Sequence, residues 1–75
     1  MEFSNLVNLA TSYGYLAEAA VYKVLGEVKY RAKVMDLTFG VETVLEVRGD
    51  DLGMLSKNCM MIFVNIFLNK NTQLQ

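Results

Sequence analysis

The spacing of apolar residues changes at Gly26, and that change does most to limit what the chain can fold into. Before it, Phe3, Leu6, Ala10, Tyr13, Ala17, Ala20 and Val24 recur every three or four residues, which draws one stripe down a helix. Val7, Leu16 and Val21 widen the stripe. Ser4 can cap the first free amides, and Gly26 is a natural stop. The spacing predicts a helix over residues 4–25. Gly14 inside it costs about 1 kcal/mol relative to alanine and marks close packing or a kink.

After Gly26 the period is two. Val28, Tyr30, Ala32 and Val34 alternate with Glu27, Lys29, Arg31 and Lys33, and Val41, Thr43, Leu45 and Val47 alternate with Glu42, Val44, Glu46 and Arg48. Turn chemistry over residues 36–40 joins the two runs as an antiparallel hairpin. Its outer faces oppose bases to acids, a pairing worth about 0.2–1 kcal/mol per pair.

The last third admits two readings. After the turn residues Gly49, Asp50, Asp51 and Gly53, residues 55–68 read as a third strand, favoured by the β-branched and aromatic run from Ile62 to Phe67. The alternative is a helix capped by Asp50, with Leu52, Leu55, Cys59, Ile62 and Ile66 on one stripe and Met54, Met61 and Leu68 on another. The expected fold is α+β: an N-terminal helix on a three-stranded antiparallel β-meander, or α-β-β-α if the C-terminal segment is helical. Residues 1–75 form a single small domain, with residues 69–75 expected as a frayed tail.

Composition then bears on function. Hydrophobic residues make up 53% of 75, against a usual 45–50% or so. A chain this short buries only about 60–65% of its unfolded surface, so the surplus calls for an interface. In the three-stranded reading, Val44, Met61, Phe63 and Phe67 lie on the sheet face away from the helix and form a homodimer interface. In the helical reading Met54, Met61 and Leu68 take that part.

Seven basic residues against eight acidic ones leave a net charge of −1, which disfavours a phosphate-backbone binder. One cysteine and no histidine remove the usual zinc sites and the imidazole-assisted nucleophiles, so neither metal nor cofactor is expected. The lone Cys59 fits a reducing, cytoplasmic setting. No secretory signal is visible, and the longest nearly apolar run, ten residues from Cys59 to Leu68, is short of the ~20 needed to span a bilayer.

Candidate groups are few. Glu18 is a general base only if its helix lines a cleft, and otherwise a solvated glutamate. Lys29, Arg31 and Lys33 offer a strip for single-stranded nucleic acid, but Glu42 and Glu46 lie across from them. Asp50 and Asp51 are too few for a calcium loop, and Cys59 reads as a small buried hydrophobe.

The stretch from Gly26-Glu27-Val28 to Asn69 resembles the final meander of hot-dog-fold acyl-thioester proteins. The similar features are the opening glycine, Arg31-Ala32-Lys33-Val34, the turn Asp50-Asp51-Leu52-Gly53 and an apolar closing strand. The resemblance implies acyl-thioester hydrolysis or binding, with Glu18 as the only helical carboxylate able to match the family's catalytic acid. The leading expectation is a non-enzymatic module that binds another macromolecule, a protein partner, as a homodimer. Acyl-thioester chemistry comes second and single-stranded nucleic-acid binding third.

Overall fold

The computed structural model describes residues 2–73, with side chains through Phe67. Along the chain lie α1 (Phe3–Ser12), β1 (Tyr15–Val24), β2 (Glu27–Asp36), β3 (Glu42–Gly49) and α2 (Leu52–Gln73). The strands form one antiparallel sheet in the order β1-β2-β3. Both helices sit on the same face of it: α1 over β1, α2 over β2 and β3, each touching the other. The fold is therefore α+β with a three-stranded antiparallel meander. The segments that build it differ from expectation at both ends.

The N-terminal helix stops at Ser12 rather than running to residue 25. Gly14 is the reason: its φ of +84° lies in the left-handed region, where glycine pays no Cβ penalty and a helix cannot continue. From Tyr15 the chain is extended and pairs with β2 along its whole length, from Tyr15 opposite Asp36 to Val24 opposite Glu27. The helix-forming run Leu16-Ala17-Glu18-Ala19-Ala20 is overruled by this pairing. Its alternation, Ala17, Ala19 and Val21 on one face and Glu18, Ala20 and Tyr22 on the other, suits a strand equally well. A two-residue turn, Leu25 at φ 51° and Gly26 at φ 82°, closes the β1–β2 hairpin with the positive φ angles a type I′ turn needs.

The C-terminal segment is a helix, not the strand preferred from its β-branched content. Asp51, rather than Asp50, caps it: its Oδ1 accepts from the amides of Gly53 at 2.8 Å and Met54 at 3.2 Å. Residues 69–73 of the expected frayed tail belong to α2, and residues 74–75 lie outside the described residues. Asp51→Ala should cost about 1 kcal/mol, the usual worth of such a cap, measured by chemical denaturation. An unchanged midpoint would mean that packing alone sets this helix start.

The core lies between helices and sheet. Leu6 and Ala10 of α1 meet Ala17, Ala32 and Val34 of the sheet and Leu55, Cys59 and Phe63 of α2. Alanines at 10, 17 and 32 let the helices approach the sheet closely. Ser56, fully buried, donates its hydroxyl to the Leu52 carbonyl at 2.7 Å, so α2 satisfies its own inward polar group.

Length mismatch shapes the rest. Ten residues of α1 span about 15 Å, whereas ten residues of β1 span about 33 Å. The far half of the β1–β2 hairpin therefore extends past its helix, and the molecule is elongated at 48 × 25 × 19 Å.

Candidate interaction surface

On the sheet face away from the helices the central strand presents Lys29, Arg31 and Lys33. Glu46 of β3 lies 3.8 Å from Arg31, 3.9 Å from Lys33 and 3.5 Å from Arg48. Lys29 is held by Asp50 and, at 3.4 Å, by Glu27, and its hydrogen bond with Asp50 raises the ammonium pKa above its usual value. Arg48 lies over the Tyr22 ring at 5.9 Å. The bases expected to form a strip are thus interleaved with acids. A phosphate chain would have to displace those carboxylates, which leaves little counterion release to drive binding.

Glu18 is on β1, opposite Lys33 on this same solvated face, not on a helix. The position that the hot-dog resemblance gives it as a helical acid is not present. Among the described residues no group of three histidine, cysteine or acidic side chains is placed to hold a metal ion. Cys59 is buried in the core, where desolvation pushes its thiol up to about 11.

The four residues expected at an interface are divided. A bulge between Val34 and Met35 shifts the β2–β3 register, so Val34 faces Leu45 while Met35 faces Thr43. Val44 is the extra residue. It lines an apolar cavity of about 70 Å³ together with Tyr15, Asp36, Phe63, Ile66 and Phe67. Three of the four, Val44, Phe63 and Phe67, are therefore brought together, but on the helix side of the sheet. Phe63 is only 3% exposed and packs edge-on to Tyr15 at 5.2 Å between centroids. Phe67 stacks near Tyr13 at 4.2 Å. The cavity is far below the roughly 300–1,000 Å³ of small-molecule sites, so it is a packing defect of the core.

Met61 is on the outer side of α2 and 56% exposed. With Met60, Val64 and Asn65 it borders a shallow groove of about 270 Å³, and Met54 continues the exposed stripe about two turns toward the N-terminus. Between Leu52 and Phe67 the helix carries a single charge, Lys57. The side chain of Leu68, expected on this stripe, lies outside the described residues. Two further apolar residues were not singled out in the sequence. Leu25 and Phe39, at the tips of the two hairpins, are fully exposed, and each immediately precedes a glycine of positive φ. An apolar residue directly before a turn glycine is the signal that would have found them.

Among the described residues no helix is long and apolar enough to cross a membrane. No protein-family model, curated protein or solved structure matches the chain.

Proposed function

We propose that the protein is a non-enzymatic interaction module, a homodimer in the cytoplasm that binds another protein through the outer stripe of α2. The observation that carries this reading is the apolar surface left after folding. Met54, Met61, Ile62, Val64 and Ile66 are exposed on one helix whose only charge over residues 52–67 is Lys57. α2 has the sheet and α1 on one side alone, so these apolar side chains are left uncovered on the other. Flexible methionines on an exposed helix suit a surface that must repack against a partner.

Comparison of host proteins retained by the wild type and by Met61→Lys tests the reading. The substitution sits on the solvent side of α2 and should leave the fold intact while removing the specifically retained protein. Identical sets from both would contradict binding through this stripe. Turnover in a panel of acyl-thioester substrates, abolished by Glu18→Gln, would instead favour acyl-thioester chemistry.

A further inference from the structure

We infer that two copies of this chain join through the free edge of β1, antiparallel and centred on Ala20, to make one six-stranded sheet. This rests on the homodimer reading above and assigns it a surface.

The two edges of the sheet are unlike. β3 carries the features that discourage edge pairing: it is the shorter strand, it contains the bulge at Val44, and Glu42, Glu46 and Arg48 are three of its eight residues. β1 has no bulge and carries fewer charges over a longer strand. It runs ten residues in unbroken register with β2, without proline, and its only charges are Glu18 and Lys23. Its free side presents a row of unpaired backbone groups whose identity follows from the turn. In a two-residue hairpin the closing pair, here Val24 and Glu27, exchanges both hydrogen bonds. The even-numbered residues of β1 therefore point their backbone groups at β2. Ala17, Ala19, Val21 and Lys23 point theirs outward.

A second β1 is a good match for that row. A two-fold axis normal to the sheet preserves its faces, so residues of like parity must oppose one another. With the axis at Ala20, Ala19 of one copy exchanges hydrogen bonds with Val21 of the other, and Ala17 with Lys23. On the solvated face Leu16 meets Val24, both partly exposed in the single chain, and Glu18 meets the ring of Tyr22. No like charges oppose each other. Val21, 66% exposed on the face that bears the helices, comes opposite Ala19 of the other copy. The stripe on α2 stays outside the contact, free for a partner.

Ala20 on the axis is a non-hydrogen-bonded pair with itself, with Cα atoms about 4.5 Å apart. That is within disulfide range, about 4.4–6.8 Å. Ala20→Cys under mild oxidation should yield mostly a covalent dimer, while Thr43→Cys on β3 should not. Ala19→Pro removes an outward amide and leaves the β2 ladder untouched, so it should sediment as a folded monomer. A wild-type dimer in which Ala20→Cys fails to cross-link, or in which folded Ala19→Pro still dimerises, overturns the edge contact and leaves the homodimer reading standing. A wild-type monomer overturns both.

Discussion

Phe63→Ala is expected to lose about 3–5 kcal/mol, a large share of what a domain of this size has. Among the described residues Phe63 is the one aromatic in the buried cluster, where helices and sheet meet. It packs against Tyr15 of β1, lies 6.3 Å from Tyr13 after α1, and is 6.5 Å from Phe67 on its own helix. The neighbouring core residues Ala10, Ala17 and Ala32 are too small to move into the space. The existing cavity beside Phe63 would merge with the new one, so collapse offers little relief. A 75-residue domain has roughly 4–11 kcal/mol in total. At about 4–8 °C per kcal/mol, the thermal midpoint should fall by 12 °C or more. A drop of only a few degrees would show that α2 is not held to the sheet through this side chain.

Cys59 should react with a thiol reagent at pH 8 at least about 100-fold more slowly in the native protein than in denaturant. Raising the thiol from 9.0 to about 11 removes two decades of thiolate, and complete burial slows access further. The same shift has a consequence for stability. Between pH 9 and 11 the folded chain holds a proton that the unfolded chain has lost, so stability is unaffected by this group below pH 9. It then falls as pH rises, by about 2–3 kcal/mol in all. Cys59→Ala should flatten that part of the alkaline decline, which isolates the contribution of the thiol. Native labelling at the denatured rate, or an unchanged alkaline profile in Cys59→Ala, would place the thiol at the surface.

The central hairpin was the most legible part of the chain. Alternation over Glu27–Asp36 sends Lys29, Arg31 and Lys33 to solvent and Ala32 and Val34 into the core, as the period of two requires. The strand from Tyr15 was hidden because its residues fit two periods at once, and only pairing with β2, a contact between separate segments, chooses between them. The C-terminal helix was hidden for a similar reason. Its apolar residues fit a helical stripe and a strand alternation alike, and the β-branched run from Ile62 to Phe67 tipped the reading toward a strand. Asp51 was the useful local signal, since its carboxylate supplies the cap that a strand would not need.

The interface residues show the same division. Met61 falls on an outward face in both the strand and the helix reading, and it is exposed on the solvent side of α2. Phe63 and Phe67 were placed on an outer sheet face only through the strand assignment, and the helix turns them toward Tyr13 and Tyr15 instead. Val44 depended on uniform alternation along β3. One bulge redirects it, and bulges leave no trace in a period of two.

Sedimentation equilibrium of the wild-type chain at micromolar concentration tests the homodimer most directly. The expected mass is twice the 8.5 kDa of the chain, with dissociation on dilution. A single species at 8.5 kDa across the concentration range would contradict it.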